Sequence, residues 1–143
     1  MNYRHSFHAG NFADIVKHAL LLWLLERRQA QGAVSVIDTH AGAGLYDLTG
    51  DAARSREAEA GIARLMAAGD RPPLIEALAA AVAQLNPDGG VTLYPGSPLL
   101  VAGRLGEEDR YVGFELNPPV LDLLTEALEG FPQAMAEGGD GYD

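Results

Sequence analysis

The chain switches between two hydrophobic periods. From Asn11 to about Gln31 apolar residues recur at helical spacing, and around Leu20–Leu25 they cover nearly every face. Asn11 suits the N-cap, Asp14 the positive end of the helix dipole, and Gly32 a left-handed stop. A helix so evenly apolar, with Trp23 in its middle, is expected to be buried against a sheet. Val34, Val36 and Ile37 then form a β-branched run closed by Asp38, which reads as a strand. Helical periodicity returns in Ala60–Ala68 and Leu74–Leu85, divided by Pro72-Pro73 and ended by Asn86-Pro87-Asp88-Gly89-Gly90. Strand character resumes at Val91–Tyr94. Ser97 as N-cap and Pro98 as first helical residue predict a helix next. Tyr111–Glu115 reads as a strand, Pro119–Leu128 as a helix, and Ala134–Glu137 as a short third strand running into Gly138-Gly139-Asp140-Gly141.

Strands alternating with helices predict an α/β fold with a parallel sheet. Residues 1–46 hold the first helix, the first strand and a glycine turn; residues 47–90 read as a small helical insertion; residues 91–143 continue the sheet domain. Parallel sheets bury both faces and need more strands than these to do so. The chain therefore reads as the N-terminal half of such a sheet, with an edge and an apolar face prone to self-association.

Composition narrows the chemistry. The absence of cysteine among 143 residues excludes disulfides and thiolate metal sites and points to a reducing, cytoplasmic setting. No apolar run approaches a bilayer span, and Glu26-Arg27-Arg28 follows Ala19–Leu25 where a secretory cleavage site needs small residues. A net charge of −10 argues against a nucleic-acid partner until its distribution is considered. Residues 1–64 carry seven basic and seven acidic residues, whereas residues 65–143 carry three and thirteen. All four histidines lie in the neutral part, so a polyanion would meet the N-terminal segment first. There Tyr3-Arg4-His5-Ser6-Phe7-His8 combines aromatic, cationic and hydroxyl groups suited to bases and phosphates. His5 and His8 lack the companions of a metal centre, and no metal is expected.

The first strand ends in a carboxylate and opens into Thr39-His40-Ala41-Gly42-Ala43-Gly44, the kind of βα junction that lets backbone approach a nucleotide. The third glycine of a dinucleotide fingerprint is absent, since Asp47 stands in its place. The spacing instead resembles the first motif of S-adenosylmethionine (SAM) methyltransferases, with His40 in place of its first glycine. Glu115 ends the next sheet strand, where a carboxylate accepts from two ribose hydroxyls; a solvated glutamate is the alternative. Asp140-Gly141 would set an acceptor beside an adenine amine, or form a plain turn. His18 shares a helix face with Asp14 and Lys17 and either looks toward a ligand or packs at an interface. Asn117-Pro118-Pro119-Val120 imitates the tetrad of amino-group methyltransferases, but Val120 cannot stack on an extruded base, so it reads as a helix start.

Together Tyr3–His18 (YRHSFHAGNFADIVKH), Asp38–Gly44 (DTHAGAG), Tyr94–Pro98 (YPGSP) and Glu115–Pro118 (ELNP) resemble the bacterial 23S ribosomal RNA adenine-N6 methyltransferases of the J type, formerly labelled as involved in catabolism of external DNA. The resemblance implies a Rossmann-like class I SAM-dependent methyltransferase with a helical insertion, monomeric when intact, acting on protein-free or early-assembly 23S rRNA. It implies cofactor contacts at His18, His40, Ser97, Glu115, Asp140 and Gly141, and a substrate contact at Tyr3. The family's catalytic Asp-Pro-Pro-Tyr lies beyond the Asp-Gly turn, so no catalytic residue is expected in this chain and the stretch by itself is expected to be inactive. The alternative, following the older label, is a non-catalytic nucleic-acid-binding protein in uptake or use of external DNA; SAM binding separates the two.

Overall fold

The computed structural model describes residues 8–49 and 56–143. It divides into two compact units, one formed by residues 1–23 with 46–95 and the other by residues 24–45 with 96–143. The segment read as an insertion lies within the first unit, together with residues 1–23.

Helix α1 (Phe12–Gln29) begins where the sequence places it. The Asn11 side chain accepts the Asp14 N–H at 2.9 Å, which caps the first turn. The helix stops two residues before Gln31, through backbone bonds that run into Gly32 at φ +141°. Its expected burial is corrected. Ile15, Ala19, Leu22 and Leu25 are buried, but Phe12, Val16, Leu20, Trp23 and Leu24 remain exposed, Trp23 at 46%. At 3.6 residues per turn the second set forms its own stripe, turned away from the first. Leu20 and Trp23 line an open groove of about 510 Å³ with Pro73 and Leu74.

The rest of the first unit contains β2 (Leu45–Asp47), a π-helical segment (Glu59–Ala63), α2 (Arg64–Ala67), α3 (Pro73–Leu85) and β3 (Leu93–Pro95). The regular helix expected over Ala60–Ala68 is thus split between two helical types. Strand β3 does not join the parallel sheet; it pairs with β2 as a separate two-stranded ribbon. Three-residue strands are too short to show a period, which is why β2 left no signal in the sequence.

The second unit holds β1 (Ser35–Asp38), α4 (Ser97–Ala102), β4 (Arg110–Glu115), α5 (Pro118–Leu128) and β5 (Ala134–Gly138). The strands lie in the order β1-β4-β5, all parallel, with Ile37 opposite Val112 and Val112 opposite Met135. One face is covered by α5 and α4, which bury Leu124, Leu128, Leu100 and Val101 beside Tyr111. On the other face the Ile37–Val112–Met135 row is apolar and open, with Ile37 67% and Met135 54% exposed.

Candidate functional site

In the second unit the loops that follow β1, β4 and β5 converge at the C-terminal ends of the strands, where parallel sheets bind ligands. Asp38, the last residue of β1, organises the first loop. One of its oxygens accepts from the Ser97 hydroxyl at 2.7 Å and from the Tyr111 hydroxyl at 3.1 Å. The other accepts the His40 N–H at 3.3 Å. Ser97 is not the N-cap that its sequence context predicts. Gly96 occupies that position, Ser97 is the first helical residue, and no side chain caps α4. The Ser97 hydroxyl donates to Asp38, which ties the start of α4 to the end of β1.

Gly42 and Gly44 adopt φ +72° and +83°, so the glycine turn has the left-handed conformation expected of it. Across the turn, the Gly42 N–H donates to Oε2 of Glu115 at 3.2 Å and the Asn117 N–H donates to Oε1 at 2.9 Å. Each carboxylate oxygen has two lone pairs, so each retains one after these bonds. Glu115 is thus held in place by backbone and still has acceptors for a pair of neighbouring hydroxyls. Asn117 leads into α5 with Pro118 as the first helical residue, as the helix-start reading of that tetrad requires.

The turn after β5 closes on the turn after β1. Gly141 lies so near Thr39 that a Cβ on it would stand 2.6 Å from the Thr39 Cα, so no larger residue fits there without moving the loop. Asp140 accepts the Tyr142 N–H at 3.0 Å, forming an Asx turn with its carboxylate exposed. His40 is exposed, with Nδ1 2.9 Å from the Thr39 hydroxyl oxygen and its ring edge-on to Tyr142 at 5.1 Å. The structure thus brings His40, Asp140 and Gly141 onto strand-end loops of one unit, with Ser97 at the start of α4 and Glu115 at the end of β4 in the same unit. Sequence reasoning passed over Asp38, Tyr111 and Tyr142 as site residues. The signals present were the carboxylate ending a strand and an aromatic next to an Asp-Gly pair.

His18 belongs to the first unit. It is 2% exposed, and its Nδ1 lies 2.7 Å from the Tyr94 hydroxyl with the rings stacked. Burial, with a contribution from the Asp14 charge, raises the Tyr94 phenol well above its ordinary range, so it keeps its proton. Asp14 is itself buried, accepting the Gly10 N–H at 3.1 Å and meeting the Lys17 ammonium at 3.3 Å. Tyr3 lies outside the described residues. Among the described residues, no group of three or more His, Cys, Asp or Glu could hold a metal ion, and no helix is long and apolar enough to cross a membrane.

Residues 31–143 match the family model described as ribosomal RNA large subunit methyltransferase D, RlmJ. The chain belongs to this family. It is 38% identical to ribosomal RNA large subunit methyltransferase J of Escherichia coli K12, over 99% of this chain and 51% of that protein. The Haemophilus influenzae protein of the same name is 37% identical over 87% of this chain and 45% of its own length. The chain thus spans about half the length of the curated relatives it matches. A crystal structure of a Legionella pneumophila protein of the family-model DUF519 superposes with a TM-score of 0.84 at 29% identity, covering 94% of this chain and 50% of that one. The RlmJ match includes all three sheet strands and every strand-end loop described above.

Proposed function

We propose that this chain supplies the cofactor-binding half of a SAM-dependent methyltransferase that modifies the N6 amine of an adenine in 23S rRNA. We further propose that by itself it binds SAM without transferring the methyl group. The observation that carries this reading is Glu115, tied by Gly42 and Asn117 so that one acceptor remains on each oxygen for the ribose diol. Asp140 supplies an exposed carboxylate for the adenine amine, Gly141 admits the close approach of the two turns, and His40 and Ser97 stand on the loops beside them. His18, which meets the Tyr94 hydroxyl in the first unit, is proposed as a further cofactor contact. Bound SAM supplies an electrophilic methyl sulfonium; the chain's own residues bind and orient it, and positioning is the larger part of such catalysis. Tyr3 is proposed to touch the rRNA, which is met in a protein-free or early-assembly state in the cytoplasm. The J-type resemblance puts the acceptor of the target amine on a later strand, beyond Asp140-Gly141.

Two measurements on the mass-verified 143-residue protein test this. Calorimetry should detect SAM binding, whereas radiolabelled methyl incorporation into protein-free 23S rRNA should be absent at any protein concentration. Lack of SAM binding overturns the cofactor reading. Incorporation overturns the proposed inactivity and returns Asn117-Pro118-Pro119-Val120 to consideration as a catalytic tetrad.

A further inference from the structure

In the second unit the loop after β1 and the turn after β5 bring two rings together at the edge of the candidate site. Tyr142 is 78% exposed, so packing into a core does not dictate where its ring lies. It nevertheless stands edge-on to His40, with ring centroids 5.1 Å apart and planes inclined by 63°. Backbone puts it there. The Tyr142 N–H donates to Asp140 Oδ1 at 3.0 Å, and the Asp143 N–H donates to the Asp140 carbonyl at 3.1 Å, which together close the turn. The Gly139 N–H donates to the Glu115 carbonyl at 3.2 Å and ties the same turn to the end of β4. Gly141 lies against Thr39, where no side chain would fit, so the turn is pressed onto the loop that carries His40. The imidazole is thereby met from two sides. The Thr39 hydroxyl oxygen is 2.9 Å from Nδ1, and Tyr142 meets the ring. Among the described residues, no hydrogen bond reaches His40 Nε2 or the Tyr142 hydroxyl.

An exposed imidazole that turns freely loses that freedom when a ligand binds, and affinity suffers by the same amount. The two ring nitrogens are also distinct, because the bond made by one sets what the other offers. With Nδ1 engaged by Thr39 and the ring steadied by Tyr142, Nε2 is directed before any ligand arrives. We propose that Tyr142 is a positioning residue for the cofactor, whose ring holds the His40 imidazole so that Nε2 is presented to SAM. Tyr142 acts through His40 and makes no bond of its own to the ligand. Its ring is what counts, since its hydroxyl takes no part in these contacts. The proposal rests on the cofactor reading above and adds to it the residue that orients His40. It also gives the close approach of Gly141 to Thr39 a purpose, because that contact is what brings the aromatic ring within reach of the histidine.

The test uses the full 143-residue chain, SAM calorimetry, thermal melting and proton NMR of the His40 imidazole. Tyr142→Ala should weaken SAM binding about five-fold, with little change in melting temperature because the ring is exposed. In the ligand-free protein the same variant should shift the His40 ring-proton resonances, since the neighbouring ring current is gone. Tyr142→Phe keeps the ring and should bind SAM within about two-fold of wild type. The His40→Ala/Tyr142→Ala double variant should bind SAM no more weakly than His40→Ala alone, because both act through one imidazole. Unchanged SAM affinity in Tyr142→Ala, His40 resonances that do not move, or failure of Tyr142→Phe to recover binding would each overturn the proposal. Additive losses in the double variant would overturn it too, by showing that Tyr142 meets the ligand itself. A melting temperature that falls in step with SAM affinity would reduce Tyr142 to a structural residue of the turn. Wild-type chain that binds no SAM, or a His40→Ala variant that binds as well as wild type, defeats instead the cofactor reading on which the proposal rests.

Discussion

Polar side chains serve two opposite ends in this chain, and one cluster from each unit shows them. In the first, polar side chains close on one another: Asn86 is 8% exposed and its amide meets the carbonyls of Val82 and Leu93, the N–H groups of Thr92 and Leu93, and the Thr92 hydroxyl. In the second, Asp38 and Glu115 end strands and Asp140 stands in the turn after one, each holding loop backbone or side chains through one or a few bonds. Saturated and buried, a polar group specifies structure; placed at a strand end with acceptors left over, it is available to a ligand. Residue type alone does not separate the two roles. The number of donors and acceptors already occupied does.

The sharpest way to break this contrast is Glu115→Ala. Losing a charged acceptor of two hydroxyls should lower SAM affinity by about 2–3 kcal/mol, roughly 30- to 150-fold, with little change in melting temperature. Unchanged affinity in calorimetry would return Glu115 to the class of solvated strand ends. Asn86→Ala is the converse. Its partners are left unsatisfied, so urea unfolding should show a loss of about 2 kcal/mol while SAM affinity holds. A fall in affinity without a fall in stability would erase the distinction between the units.

Asp38→Asn lies between these cases, because Asp38 serves the loops rather than the ligand. Replacing one oxygen with an amide donor sets a competing donor against either the His40 N–H or the pair of Ser97 and Tyr111 hydroxyls, and SAM binding should weaken about ten-fold. Unchanged SAM affinity in calorimetry would mean that the loops hold their places without Asp38. The smallest effect concerns Asp109, whose carboxyl accepts from the Val34 N–H, the Gln29 amide and the Gly106 N–H. These bonds, the Val34 N–H first among them, lower its pKa. Its stabilisation is therefore complete above the unfolded value, near 4, and is lost as pH falls through the lower folded value. Asp109→Asn should reduce the melting temperature at neutral pH, and the gap to wild type should shrink in acid. A gap independent of pH would mean the side chain acts by shape alone.

Most of the second unit was legible locally. Short β-branched runs, proline at helix starts and glycine at turns are nearest-neighbour signals, and β1, β4, α5 and β5 all follow from them. The glycine turn, Glu115 and Asp140-Gly141 could be picked out because strand ends and turn residues are adjacent in the chain. The first unit was less legible, since its defining contacts join residues far apart. Glu57 meets His8, and Tyr94 meets His18, across stretches that no periodicity connects. Trp23 shows the same limit: uniform hydrophobicity announced a helix but not which stripe would be covered.

The sequence by itself determined the α/β class, the order of helices and strands in the second unit, the family resemblance and the residues worth watching. All of these depend on local conformational preference or on motifs read in line. Only the tertiary structure decided that the Ser97 hydroxyl meets Asp38, that β3 leaves the parallel sheet for a ribbon with β2, and that one carboxylate at Glu57 gathers His8 and Asn11. A hydrogen-bonding side chain goes to the best acceptor within reach, and reach is set by the folded chain rather than by spacing along it.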